Sequence, residues 1–196
     1  MWNHWILNTR WIRIEGLTIR RIKGFTIRMI EGVTNELTSD EYICFMNYKS
    51  AEATALFANG YNCAQAVLSA FGKAHFKDHA SALRLASGFG AGIAYRGEMC
   101  GAVSGAIMAL GLRYGYQEVT DTTSKENMMK IIRKFLDLFE EQHGSVICSK
   151  LLNVDIGTPE GLAYARENEI FGKVCPGLVA HAAEILDSLW EMEPGQ

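Results

Sequence analysis

Residues 123–144 read TSKENMMKIIRKFLDLFEEQHG. Met128, Ile131, Ile132, Phe135, Leu138 and Phe139 recur at the spacing that puts side chains on one face of an α-helix. Thr123-Ser-Lys-Glu126 fits a capping box at its start, and His143-Gly144 supplies a stop. Strands cannot share this pattern, because alternation would put Ile131 and Ile132 on opposite faces.

The same reading extends outward from this helix. Ser50 to Asn59 reads as a helix with Ala51, Ala55 and Leu56 on one face, ending at Asn59-Gly60. Asn62 caps a second, Cys63 to Phe71, that turns Ala66, Val67 and Ala70 inward, and Asp78 precedes a third. Gly88-Phe-Gly-Ala-Gly92 reads as a loop, and Met99 to Tyr114 as a further helix. Beyond the long helix come Ser145 to Leu152 and a start at Thr158-Pro159-Glu160. The last helix opens at Cys175-Pro176, with Leu178, Val179, Ala182, Ile185, Leu186 and Leu189 apolar. The expected fold class is all-α: a compact bundle of six to eight helices, with a short irregular or β-like N-terminal leader.

That leader, residues 1–45, differs in composition. Lys and Arg outnumber Asp and Glu, and a period of eight runs through EGLTIRRI (15–22), KGFTIRMI (23–30) and EGVTNELT (31–38). Each unit joins a Gly turn to a short alternating segment, so three short strands are expected, or a surface for a partner that seeks basic residues. The repeat also reads as an upstream segment outside the native domain. The expected division is then 1–45 as leader and 46–196 as the helical four-cysteine domain.

Composition excludes several roles. A net charge of -3 over 196 residues gives no general pull toward nucleic acid. No apolar run is long enough for a membrane span, and no secretion signal opens the chain. The expected setting is the cytoplasm, where cysteines are reduced, metal-bound or catalytic more often than disulfide-linked.

Cys63, Cys100, Cys148 and Cys175 each fall at an expected helix start, whereas Cys44 lies in the leader. The first turn of a helix exposes backbone N–H groups and the positive end of its dipole, which favours thiolate. In EMCGAVSGAIMALG (98–111), Gly101, Gly105 and Ala109 form a stripe without side-chain bulk. Another helix can approach there and carry its own thiol toward Cys100. The Gly97 and Gly101 neighbours leave Cys100 the least shielded and make it the expected attacking thiol. Three readings follow. The four thiols do redox chemistry as an electron carrier or sensor, or together they ligate a metal ion or iron–sulfur cluster, within one chain or across a homodimer. Alternatively they only pack, in a helical partner-binding module.

Other residues carry less. His75 and His79 are four apart but read as surface, His143 is a candidate base for Cys148, and His181 reads as packing. GFGAGIA lacks the spacing of a dinucleotide-binding loop.

Gly60-Tyr-Asn-Cys-Ala-Gln-Ala-Val67, Cys100-Gly-Ala-Val-Ser-Gly105, Cys148-Ser-Lys150 and Cys175-Pro176 together resemble the C-GCAxxG-C-C family of redox-active proteins. The resemblance runs from about Met46 to Leu189 and leaves residues 1–45 unmatched. It implies a small helical protein whose four family cysteines are Cys63, Cys100, Cys148 and Cys175, working with an oxidoreductase or a transporter-associated redox partner. Related modules occur in some multi-haem cytochromes with a non-haem iron site, but this chain has no Cys-x-x-Cys-His for covalent haem.

Overall fold

The computed structural model describes residues 9–14, 17–22, 25–26, 39–72, 76 and 78–190, with side chains from Tyr48 onward. Contacts divide the chain into two units, Met1–Met46 and Asn47–Gln196. In the smaller unit, β1 (Thr9–Ile14), β2 (Leu17–Ile22) and β3 (Phe25–Thr26) form an antiparallel sheet in sequence order. Thr9 pairs with Ile22 and Arg21 with Thr26, so strand starts at 17 and 25 keep step with the eight-residue period. The third repeat unit lies outside the described residues.

The larger unit is all-α, with one isolated antiparallel bridge, Met99 to Ile147, among its described residues. Its helices are α1 (Ser39–Ala58, entered from the smaller unit), α2 (Cys63–Gly72), α3 (His79–Ala86), the single turn α4 (Gly90–Ile93) and α5 (Gly101–Tyr114). Then follow α6 (Thr122–His143), α7 (Cys148–Leu152), α8 (Pro159–Glu167) and α9 (Ile170–Trp190). The expected faces build much of the core, with Ala66, Val67 and Ala70 from α2, Phe135 and Phe139 from α6, and Leu186 and Leu189 from α9, joined by Leu68 from α2 and Leu110 from α5. No described helix is long and apolar enough to cross a membrane.

Four local expectations change. α6 is capped by Asp121, whose carboxylate accepts from Ser124 N at 2.9 Å, so the helix starts ahead of the expected capping box. α1 begins at Ser39, well ahead of the expected Ser50, and leaves Ala51 and Ala55 exposed while burying Ser50 and Ala53 instead. Ser50 Oγ faces Ala180 O at 3.2 Å and Glu184 Oε1 at 3.1 Å on α9, which turns that side of α1 inward. α7 begins at Cys148 behind an Ile147 cap, while Ser145 Oγ only accepts from Ile147 N. α9 begins at Ile170, so Cys175 is an interior helical residue and Pro176 lies within the helix. Proline has no N–H, so the Gly172 carbonyl loses its usual helical donor at that point.

The small-residue stripe does what its spacing predicts. A Cβ on Gly105 would lie 2.6 Å from Ala64 O and 3.0 Å from Ala64 Cα; one on Gly101 would lie 3.1 Å from Cys63 Cβ. α2 therefore rests its first turn directly on α5, with Cys63 beside the start of α5. Gly105→Ala is expected to lower stability by about 1–2 kcal/mol, because overpacking against backbone outweighs the helix-propensity gain of roughly 1 kcal/mol. Gly111→Ala on the same helix, with nothing within 4 Å, is expected to stabilise instead. Urea unfolding of both variants checks the contrast; equal gains would refute the close approach.

Candidate functional site

Cys63, Cys100, Cys148 and Cys175 line one cavity of about 270 Å³. Each arrives by a different local device. Asn62 and Gln65 cap α2 reciprocally, Asn62 Oδ1 accepting from Gln65 N at 2.9 Å and Gln65 Oε1 from Asn62 N at 3.0 Å. The Asn62 amide also donates to Ser87 O at 3.0 Å, tying the start of α2 to the end of α3. Cys63 follows as the first helical residue.

Cys100 and Cys148 come together through backbone. Around the Met99–Ile147 bridge, Cys100 N donates to Val146 O at 2.8 Å, Cys148 N to Glu98 O at 2.6 Å and Ser149 N to Gly97 O at 3.0 Å. The starts of α5 and α7 are thus held side by side. Cys175 reaches the cavity from within α9.

Beside these sulfurs the backbone is strained. Ala91, Gly92, Ile93, Ala94 and Tyr95 all have positive φ, between 50° and 65°, making a left-handed turn out of mostly non-glycine residues. Such a conformation costs roughly 1–2 kcal/mol per L-residue. Ala94 N to Gly88 O (3.1 Å) and Glu98 N to Gly92 O (3.0 Å) hold the turn, and it places Ala91 and Tyr95 on the cavity wall. The segment read from sequence as a plain loop is a structured turn, and nothing in glycine spacing alone announces its handedness.

The thiols differ electrostatically. Cys63 donates to the sulfur of Cys175, which pushes the Cys63 thiol well up, with burial and the charges of the other three sulfurs adding to it. The same hydrogen bond holds Cys175 below the ordinary value of 9.0 against the opposing effect of burial. Burial raises Cys100 to about 11, although the N–H groups of Ala102 and Val103 at the helix start favour its thiolate. Burial, then the charges of Cys100 and Cys175, raise Cys148 to about 12. Every pair among the four sulfurs is close enough for one charge to disfavour another.

Two expectations from the sequence are corrected by this. Helix starts do not activate Cys100 or Cys148, because desolvation outweighs the dipole in a buried setting. Cys175, the thiol away from a helix start, is the one whose anion is favoured, and Cys100, at 2% exposure, is not the least shielded.

The described histidines are not among the residues that line the cavity. His143 Nε2 and His181 Nδ1 are 3.1 Å apart, and the His143 ring packs 4.5 Å from Phe139. His143 is lowered by burial and then by His181, the ring it faces. His79 is exposed, and His75 lies outside the described residues. Among the described residues no three His, Cys, Asp or Glu side chains are arranged to hold a metal ion.

The C_GCAxxG_C_C family model, described as "Putative redox-active protein", matches residues 61–189 and contains all four cavity cysteines. The chain belongs to this family. The match starts at residue 61, later than the expected Met46. No curated protein and no solved structure matches the chain. Within the C_GCAxxG_C_C framework, Gly101 and Gly105 are the residues on which the start of α2, with Cys63, rests. Sequence reasoning missed four lining residues, Phe57, Phe171, Tyr95 and Arg166. An exposed Tyr and an exposed Arg carry no signal until the fold brings α8 beside the left-handed turn.

Proposed function

We propose that this C_GCAxxG_C_C protein carries out two-electron thiol–disulfide exchange in the cytoplasm, with Cys175 as the attacking thiolate and Cys63 as the resolving thiol. The observation that carries the reading is the convergence of four thiols from four separate elements on one cavity, with Cys63 and Cys175 affecting each other most strongly. An attacking thiol is helped by a lowered pKa and a second thiol within reach, and of the four Cys175 alone is shifted downward, with Cys63 as its partner. The proton that Cys63 keeps is what stabilises the Cys175 anion. Cys100 and Cys148, both largely protonated near neutral pH, form a second pair able to accept the oxidation in turn.

Ligation of a metal or cluster by the same four sulfurs draws no support from their arrangement. A binding module with inert thiols leaves the Cys63–Cys175 contact without a role. Thiol counting under mild oxidation tests the reading. The folded, reduced protein is expected to lose two titratable thiols per chain together and to regain them with dithiothreitol. Four thiols that stay inaccessible and unchanged in an intact fold would defeat it.

A further inference from the structure

Arg166 is the one charged side chain among the described residues that line the cavity, and no carboxylate lines it. It is exposed in the last turn of α8, with its guanidinium 5.3 Å from the centre of the Tyr95 ring. A cation there suits the dipole of α8, yet the dipole asks for neither a ring partner nor a cavity. Tyr95 stands where it does only because the backbone accepts the left-handed turn, and strain of that kind collects at sites that use it. Stacking on an aromatic face limits the orientations of a guanidinium while leaving its N–H fork available to a carboxylate.

The rest of the wall is apolar around the thiols, with Phe57, Phe171 and Leu178. At about 270 Å³ the cavity falls just below the range of roughly 300–1,000 Å³ usual for small-molecule sites. It suits a slender molecule better than a folded protein's disulfide loop.

From this we infer that the site takes a small organic disulfide bearing a carboxylate, its acid group on Arg166 and its sulfurs at Cys175. The inference rests on the thiol-exchange reading and adds the substrate class to it. In the reaction the Cys175 thiolate attacks one substrate sulfur, forming a mixed disulfide and expelling the other half as a thiolate that takes a proton from water. Cys63 then releases its proton and attacks the Cys175 sulfur. The Cys63–Cys175 disulfide forms, the second substrate half leaves as a thiol with that proton, and two electrons have passed from protein to substrate.

Three probes of similar length and different charge test this: dithiodipropionate, hydroxyethyl disulfide and cystamine. Rates of thiol loss in the full chain at low ionic strength are compared between the wild type and Arg166→Gln. The anionic probe is expected to slow by about fivefold in the variant, the upper end for an exposed ion pair. The neutral probe should stay within about twofold and the cationic probe should quicken by a similar factor to the anion's loss. Added salt should erase the wild-type preference, since exposed charges are screened. Identical charge preference in the two proteins would overturn the substrate class alone. Inertness of the folded wild type toward all three probes would overturn it together with the exchange chemistry beneath it.

Discussion

Replacing Cys175 with Ser is expected to slow the first thiol-modification step by at least about tenfold near neutral pH. Cys175 lies below 9.0, whereas Cys100 is near 11 and Cys148 near 12. Its thiolate fraction therefore exceeds that of Cys100 by at least about 100-fold. Basic thiolates are the better nucleophiles, and a Brønsted slope of roughly 0.4–0.5 returns about tenfold of that advantage. Ionisation still wins. The sign of the pH dependence follows from the lowered value: modification rises with pH through a midpoint below 9.0 and falls away as Cys175 is protonated. Substitution at Cys63 separates the cause. Cys63→Ser keeps an O–H donor and should leave the midpoint near its wild-type place. Cys63→Ala removes the donor and should move it upward. Alkylation rates followed across pH by mass spectrometry measure both effects, and a wild-type rate unaffected by Cys175→Ser would refute the assignment.

Gly92→Ala is expected to cost about 2–5 kcal/mol, the sum of a left-handed L-residue and an overpacked contact. Gly92 has φ of 63°, and a Cβ there would sit 2.6 Å from Cys148 Cβ and 2.7 Å from both Glu98 N and Gly97 C. Little in this surrounding can yield, because two of the three neighbours are backbone and the third carries a cavity thiol. Gly88→Ala nearby, with nothing within 4 Å, should change stability by less than about 0.5 kcal/mol. Thermal unfolding of the two variants gives the comparison. A Gly92→Ala protein as stable as Gly88→Ala would mean that the left-handed turn does not hold Cys148 in place.

Much of this was legible in the chain because helices announce themselves locally. Asn62, Asp78 and Thr158 cap the helices expected of them, and Gly144 ends α6 in the left-handed conformation that glycine accepts at low cost. The stripe of Gly101, Gly105 and Ala109 likewise foretold a close approach, since absent side chains are visible in the sequence. The missed features share a tertiary origin. Pro176 looks like a helix start, yet Val174 and Phe171 pack against the core and draw the helix back to Ile170. The rank order of the thiols depends on burial and on which sulfur meets which, and neither quantity is local. The four cysteines were identifiable as a set; that Cys175 is the one shifted downward, with Cys63 beside it, was not.

The most direct measurement is peptide mapping of the protein after limited oxidation by a small disulfide, with alkylation of the remaining thiols. The account predicts that the first intramolecular cross-link joins the Cys63 and Cys175 peptides while Cys100 and Cys148 are recovered alkylated. A first cross-link between Cys100 and Cys148, or oxidation that yields only bonds between chains, would contradict it.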